Sequence, residues 1–304
     1  MLIRNKSNIL VVRASYKKAY PIVESLRKAG YSVVVGIDSS RVELRFSLFP
    51  NKLAPIVNPY VSERLYVTSV LSSVKKYGVD IIIPVGFIDF LLLSKYKDVL
   101  EKYAVVPVED YEKVRALSDK WYVKSLAESV GVNYPKTIFL KGSIEKSSVM
   151  AFMDNVGFPL VIKGLGDNST PRFVSDFDTL LGELNVRVKD GVLLQEFIPG
   201  VGAGYFALSY EGEPIVEFMH KRILEASPLG GASVKASFNF DPCLLSLGRR
   251  TVRRVGWTGI IMVEFKKHSE TGDYYLMEVN PKFWGSLELA YRAVSYTHLT
   301  LPTN

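Results

Sequence analysis

The residue types best suited to chemistry lie late in the chain. Glu264 sits in Ile260-Ile261-Met262-Val263-Glu264-Phe265 and Glu278 in Tyr274-Tyr275-Leu276-Met277-Glu278-Val279-Asn280, with a polar turn between His268 and Asp273. The pattern predicts two adjacent antiparallel strands. In the second, Glu278 and Asn280 are two residues apart and point to one face, while Met277 and Val279 point to the other. If Glu264 faces the same way, three oxygen-bearing side chains converge, the donor set that a hard cation such as magnesium (or manganese) takes. The two glutamates also read as solvent-facing charges on an exposed sheet face. A carboxylate flanked by Met262, Val263 and Phe265 is poorly suited to an exposed surface, and Asn280-Pro281 is an unusual strand ending. Both details favour the metal site.

Phosphoryl transfer also needs cations for the phosphates and a pocket for the base, because its catalysis is mainly positioning and charge neutralisation. Lys163 ends an apolar strand and precedes Gly164-Leu165-Gly166-Asp167-Asn168-Ser169-Thr170, whose backbone N–H groups could lie over phosphates; Lys120 stands at a helix start. Taken singly, such lysines are more often surface residues. Leu193-Leu194-Gln195-Glu196-Phe197-Ile198-Pro199-Gly200 is a strand running into a Pro-Gly turn. Its exposed backbone groups and carboxylate suit an adenine edge, and a plain strand-to-turn transition reads the same way.

Three sets of elements must position these residues. Asn8 to Arg13 is a buried strand, followed by an amphipathic helix with Ile22, Val23, Leu26 and Ala29 on one face and Gly30 at its end. Ser32 to Gly36 is a second strand, a helix runs through Leu65, Val67, Val70, Leu71 and Val74 to Gly78, and Asp80 to Val85 is a third strand. Continuous apolar strands between amphipathic helices predict a parallel sheet covered on both faces, a Rossmann-like domain over 1–110. It lacks a dinucleotide fingerprint, since Ala14-Ser15-Tyr16-Lys17-Lys18 replaces a G-x-G-x-x-G turn.

From Ser118-Asp119-Lys120 the pattern turns to α+β. A capped helix stops at Gly131, Thr137 to Leu140 is a strand, a helix spans Ser148 to Asn155, and Pro159 to Lys163 and Arg172 to Val174 are strands, giving a lobe over 111–190. The segment 191–293 holds a β-hairpin turned at Glu211-Gly212, a helix capped by Asp241 with Pro242 at its first position, and the two glutamate strands. Val294-Ser295-Tyr296-Thr297-His298-Leu299-Thr300-Leu301-Pro302-Thr303 looks like a translated sequencing adapter, so 294–304 is set apart and the natural chain is expected to be cut off near Ala293.

The 304 residues are 48% hydrophobic and 23% charged, which excludes disorder and allows two or three cored domains. One cysteine, Cys243, excludes a disulfide framework and fits a reducing cytoplasm. Apolar runs fall far short of the roughly 20 residues of a membrane span, and the N-terminus does not read as a signal peptide. Thirty-eight Lys and Arg against 31 Asp and Glu leave a net charge of +7, but the basic residues are scattered; Arg249, Arg250, Arg253 and Arg254 read as a solvated helix face. Neither nucleic acid nor membrane is the expected partner. There is no G-x-S-x-G and no histidine near Cys243, so no activated nucleophilic side chain is evident.

Taken in order, these segments resemble the ATP-grasp superfamily over residues 8–293, especially its predicted carboxylate–amine ligases related to carbamoyl phosphate synthase and D-alanine–D-alanine ligase. The most specific stretch runs from Gly256-Trp257-Thr258-Gly259 through Met262-Val263-Glu264-Phe265 to Met277-Glu278-Val279-Asn280-Pro281-Lys282-Phe283-Trp284-Gly285-Ser286. The resemblance implies a Rossmann-like N-terminal domain followed by a two-lobed ATP-grasp domain. It implies magnesium held by Glu264, Glu278 and Asn280, ATP contacted by Lys120 and Lys163, and an adenine hinge at Gln195, Glu196, Phe197 and Ile198. His220-Lys221-Arg222-Ile223-Leu224-Glu225, with Pro228-Leu229-Gly230-Gly231 after it, looks like the family's basic stretch. Lys221 and Arg222 are then the groups facing the transferring phosphoryl; by themselves they also read as a charged hairpin end.

Two departures stand out. Lys282 replaces the usual arginine after Asn-Pro and lacks its bidentate fork, and the loop after Lys163 is short and glycine-poor. The implied activity is ADP-forming: a substrate carboxylate becomes an acyl phosphate that an amine attacks. A kinase of a small-molecule hydroxyl and a non-catalytic nucleotide-binding protein are the alternatives. The expected partners are a small carboxylate and an amine, with room for a homo-oligomer.

Overall fold

The structure, a computed structural model, describes residues 7–38, 52–165, 171–225 and 233–300, with side chains to 293. Residues 166–170 of the glycine-bearing loop, 228–231 of the basic stretch and 301–304 of the tail lie outside the described residues.

The N-terminal sheet is formed by β1 (Asn8–Val11), β2 (Ser32–Ile37), β3 (Lys52–Pro55) and β4 (Ile81–Ile83), all parallel in the order β3-β2-β1-β4. Its two central strands and β4 are mostly apolar because both faces are covered, while β3, at the edge, begins with the exposed Lys52. Ile9, Val11, Val33 and Val35 pack on Ala19, Ile22 and Val23 of α1 (Ala19–Lys28). Leu10, Val12, Val34 and Ile82 pack on Tyr66, Val67, Val70 and Val74 of α2 (Glu63–Tyr77) and on Phe90 and Leu93 of α3 (Phe87–Lys95).

Local expectations need adjusting here. The third strand is only Ile81–Ile83 of the expected Asp80 to Val85. Helix α1 closes at Lys28 with Gly30 at φ +88, Gly30 N donating to Arg27 O and Tyr31 N to Leu26 O, a Schellman turn that leaves Ala29 exposed rather than on the buried face. Leu65 is exposed and Tyr66 takes its place in the core.

After α4 (Lys97–Leu100), α5 (Tyr111–Ser118) and α6 (Lys120–Ser129) lead into a four-stranded antiparallel sheet of order β5-β8-β6-β7. It comprises β5 (Thr137–Leu140), β6 (Leu160–Gly164), β7 (Arg172–Val174) and β8 (Val192–Glu196). Leu160, Ile162, Val192 and Leu194 face α7 (Lys146–Val156) and α8 (Phe177–Arg187). Strand alternation sends Val161, Lys163, Leu193 and Gln195 to the opposite face.

The third sheet has the order β11-β10-β9-β12-β13, from β9 (Gly200–Tyr210), β10 (Glu213–Glu225), β11 (Ser233–Phe238), β12 (Gly259–His268) and β13 (Tyr274–Asn280). One face, with Tyr205, Ala207, Met219, Ile261, Val263 and Val279, is sealed by α5, α6 and α9 (Pro242–Val255), where the largest cluster of buried residues lies. Asp241 caps α9 by accepting from the backbone of Cys243 and Leu244. The arginines of α9 are partly ion-paired rather than merely solvated, Arg249 with Glu217 and Arg253 with Glu213. The other face packs Phe206, Phe218 and Met262 against Trp284 and against Ala290 of α10 (Leu287–Thr300). Among the described residues no helix is long and apolar enough to cross a membrane.

At the carboxyl end of the parallel sheet, Asp89 is fully buried, accepting from Tyr66 Oη at 3.0 Å and Gly86 N at 2.8 Å, with Arg13 Nη1 at 3.8 Å. Burial pushes its carboxyl up to about 6, against the pull of Arg13. The folded chain therefore holds a proton that the unfolded chain releases near the ordinary value of 3.8. This stability is fully present below about pH 4 and lost as the pH rises through about 6. A rise of this size is worth at most roughly 3 kcal/mol. Asp89→Asn should flatten that part of the dependence of Tm on pH. An unchanged slope between pH 4 and 6 would assign the proton elsewhere.

Candidate functional site

Strands β12 and β13 pair with Glu264 opposite Glu278, Val263 opposite Val279 and Met262 opposite Asn280. Val263 and Val279 enter the helix-covered core, so Glu264 and Glu278 share the opposite face. Asn280, 5% exposed, lies two residues on and donates through Nδ2 to Glu278 Oε2 at 3.3 Å. The three expected oxygen donors are brought together.

The expected place of Met277 is overturned. The register shifts after Glu264, and Phe265 pairs with Leu276, which leaves Met277 as an extra residue. This bulge lets Leu276 and Val279, an odd number of residues apart, both face the core while Glu278 faces away from it. Met277 does not join Val279 in the core; it is half-buried and lines a small cavity with Lys120, Glu278 and Asn280.

The four-stranded sheet supplies cations. Lys163, 6% exposed, points from the face that its helices leave uncovered. Burial lowers its ammonium, Glu278 and Glu264 raise it, and Lys120 and Lys266 lower it further, which places all four neighbours within electrostatic reach. Lys120 begins α6, whose cap Asp119 accepts from Trp121 N, and donates to Gly164 O at 2.9 Å. The two lysines thus sit at the end of the same strand.

Arg222 reaches across from β10 and donates to Glu264 Oε2. Burial pushes Glu264 up, Arg222 opposes that, and Glu278 adds to it; Lys282 also pulls it down. Lys282 itself lies with Nζ 5.8 Å from the centre of the Phe87 ring. Lys221 is corrected. Its partner Ala203 faces the helix-covered core, so Lys221 stands exposed on the opposite face from Arg222 and Glu264. Adjacent residues of one strand cannot both address one cleft.

The hinge residues divide. Gln195 is buried and donates to Thr137 Oγ1 at 2.9 Å, and Ile198 is buried. Glu196 is tied to Lys136, accepting from its backbone N–H at 3.0 Å and donating its own N–H to Lys136 O. Phe197 packs edge-on to Phe173, with Lys266 Nζ 4.5 Å above its ring.

Four residues at the site had been given no role of their own from the sequence. Lys266 stands two places beyond Glu264 on the regular β12–β9 ladder and shares its face, which the same parity rule could have found. Burial lowers it, with Glu225 raising and Arg222 lowering. His220, Trp284 and Ser286 meet on this face too, with Ser286 Oγ 2.8 Å from His220 Nδ1. Burial, and Arg222 beside it, push His220 down to about 4, so its ring is neutral.

Room for these side chains comes from two glycines of β9. A Cβ at Gly202 would lie 2.5 Å from Arg222 Cδ, and one at Gly204 would lie 2.3 Å from Phe206 Cζ and 3.1 Å from His220 Nε2. Glycine inside a strand marks close approach by another group. Around the glutamates stand Lys120, Lys163, Lys266, Lys282 and Arg222 against Glu264, Glu278 and Glu225, five cations to three carboxylates. The arrangement suits a polyanion accompanied by a divalent metal. Among the described residues no three His, Cys, Asp or Glu side chains form a metal cluster; the donor set here is two carboxylates and an amide.

No protein-family model matches the chain. A D-aspartate ligase of Enterococcus faecium (strain Aus0004) is 21% identical over 209 residues, covering 62% of this chain and 50% of that protein, so the chain spans about half the length of this curated relative. An L-amino acid ligase from Bacillus licheniformis superposes with a TM-score of 0.71 at 16% identity, over 95% of this chain and 70% of its own. Biotin carboxylase from Campylobacter jejuni gives 0.71 at 14%, over 94% and 67%. The ADP complex of an N5-carboxyaminoimidazole ribonucleotide synthetase gives 0.68 at 12%, over 93% and 72%. Identities this low speak to architecture alone, and on that the three likenesses cover 93–95% of this chain: it has the ATP-grasp fold.

Proposed function

We propose that the chain is an ATP-dependent, ADP-forming carboxylate–amine ligase. The observation that carries this is the convergence of Glu264, Glu278 and Asn280 on one sheet face, with Lys163 brought against it from the other sheet and Lys120 from the start of α6. In this reading residues 1–110 form a Rossmann-like domain, 111–190 the small lobe and 191–293 the large lobe of the grasp.

The donor set fits a hard divalent cation, since two carboxylates facing each other across a strand pair repel unless a positive charge lies between or beside them. Magnesium (or manganese) would be held by Glu264, Glu278 and Asn280, and when bound it neutralises charge on the phosphates. Lys163 and Lys120 hold phosphate oxygens of ATP. The polypeptide around Glu196 and Phe197 takes the adenine edge, with buried Gln195 and Ile198 as support rather than contact. Arg222 addresses the transferring phosphoryl, and its planar fork suits both that group and the acyl phosphate. Lys282 adds a point charge beside Glu264. Lys221 has no part in the site. A carboxylate oxygen attacks the γ-phosphorus, ADP leaves with the electron pair of the broken P–O bond, and an amine then displaces phosphate to form the amide. The relatives' printed names, an aspartate ligase and an amino acid ligase, support this reaction class.

Nucleotide binding tests the reading directly. Mg-ATP at ~100 times its dissociation constant should stabilise the chain by about 2.7 kcal/mol in thermal unfolding, and chelation should remove most of the shift. Glu278→Gln should lose the metal-dependent part and lower acceptor-dependent ADP release by about a hundredfold or more. Full turnover in that variant would refute the metal assignment.

Gly204→Ala makes a second test. The added methyl must displace the rings of Phe206 and His220, costing about 1–3 kcal/mol in urea unfolding. Retained stability would show that the rings move freely and that the glycine is not needed for their approach.

A further inference from the structure

Strand β13 lies at the edge of its sheet, so Asn280, its last residue, is paired on one side only, with Met262 of β12. The chain then leaves the sheet. Lys282 N donates to Asn280 O at 2.9 Å, closing a tight turn through Pro281, and whatever grips the residues beyond it fixes where that turn stands. One grip comes from the five-stranded sheet itself: Trp284 stacks on Phe206 at 4.3 Å, and Ser286 Oγ lies 2.8 Å from His220 Nδ1.

The other grip comes from the N-terminal sheet and its helices. Phe283 meets Phe90 of α3 edge-on with ring centres 6.4 Å apart, and it packs against both clusters that flank the parallel strands. Lys282 Nζ lies 5.8 Å from the centre of the Phe87 ring, and Lys18 Nζ donates to Phe283 O at 2.5 Å, across 265 residues of sequence. Lys18 is itself built into place. Its ammonium lies 5.2 Å from the centre of the Tyr16 ring, and Tyr16 Oη accepts from Arg13 Nη2 at 3.2 Å. That ring rests so close to Gly86 that a Cβ there would meet it at 2.5 Å.

Tyr16 and Lys18 follow β1, and Gly86 and Phe87 follow β4; in the order β3-β2-β1-β4 the direction of winding reverses between these two strands. In doubly wound sheets the crevice outside such a reversal takes the ligand. Here Tyr16 lies against Gly86 in that place, and the cation beside it is turned to a backbone carbonyl of the segment after the metal strand. We propose that this crevice docks the chain's own residues 282–284, and that Lys18 is a positioning residue which, through Phe283 O, fixes where Asn280 and Lys282 stand beside Glu264 and Glu278. This rests on the reading of Glu264, Glu278 and Asn280 as the metal-holding set. It goes beyond that reading in giving the N-terminal sheet a share in metal affinity, although none of its side chains is in the donor set.

The test titrates magnesium into the full chain with ATP present and reads the thermal shift, with ATP in chelator as the metal-free reference. Lys18→Met keeps the stem and removes the donor. It should raise the magnesium concentration at half-maximal shift about tenfold, the order of one hydrogen bond from a charged donor, and leave the shift by ATP in chelator unmoved. Lys18→Arg, which keeps a donor, should restore most of the affinity. Phe283→Leu leaves the carbonyl in place and loosens the ring; it should move the midpoint the same way by a smaller factor, and it serves where Lys18→Met fails to fold.

A lower melting temperature of the ligand-free variants with an unmoved magnesium midpoint would make the contact merely structural, overturning the inference and leaving the metal assignment intact. Weakening of the metal-free ATP shift by the same factor would also overturn it, since Lys18 would then act on the nucleotide. A parent chain whose ATP shift ignores magnesium would overturn both the inference and the metal assignment.

Discussion

Two like charges facing each other across a strand pair set the terms for the rest of the molecule. Glu264 and Glu278 are directly opposed on β12 and β13 and half-buried, an arrangement that destabilises a sheet by itself. Burial and Glu278 together push Glu264 towards its neutral form, and Arg222 holds it back. Lys163 faces the converse difficulty, an ammonium stripped of water and sustained by Glu278 and Glu264 from the other sheet. Each sheet thus carries charges that are uncomfortable without the other. A cleft of this kind departs from the rule that local choices agree with stability, and such departures concentrate where ligands bind.

The strain is offset on the far side of the same sheet. Val263, Val279, Ile261, Tyr205 and Leu276 are fully or almost fully buried under α5, α6 and α9, in the largest of the hydrophobic clusters. A strand with one face sealed so thoroughly has its register fixed, because a slip of one residue would turn the valines outward and the glutamates inward. The position of the acidic pair is therefore dictated by apolar residues that never touch a ligand. Gly202 and Gly204 extend this logic to β9, the strand between Glu264 and Arg222, where missing side chains let Arg222, Phe206 and His220 lie across the sheet.

Much of this was legible in the sequence. The strand pair, the turn from His268 to Asp273 and the shared face of Glu278 and Asn280 follow from period-two alternation, the face of Glu264 needed the pairing register, and the Asp241-Pro242 helix start follows from capping chemistry. The bulge at Met277 was not legible. Alternation alone assigns Met277 to the core, and only the pairing of Phe265 with Leu276 shows it displaced. Helices α3 and α5 also escaped. The first is apolar nearly all round, Phe87-Ile88-Asp89-Phe90-Leu91-Leu92-Leu93, because it is buried against the parallel sheet, and such a segment shows no helical stripe. His220 stands 66 residues before Ser286, and no spacing rule brings it to the Trp284-Gly285-Ser286 segment.

Lys221 and Arg222 show how far parity decides function within one short motif. Both are basic, adjacent and exposed to the same general resemblance, yet β10 turns one towards Glu264 and the other to the opposite face. Arg222 is also the better residue for the inward place: a planar guanidinium offers several N–H donors in a fixed fork and bonds Glu264, whereas burial there would lower a lysine's ammonium as it does those of Lys163 and Lys266. In the proposed reading, nucleotide phosphates arriving in the cleft would offset the burial that lowers the Lys163 and Lys266 ammoniums, while the Arg222 fork, bonded to Glu264, faces the group in transfer.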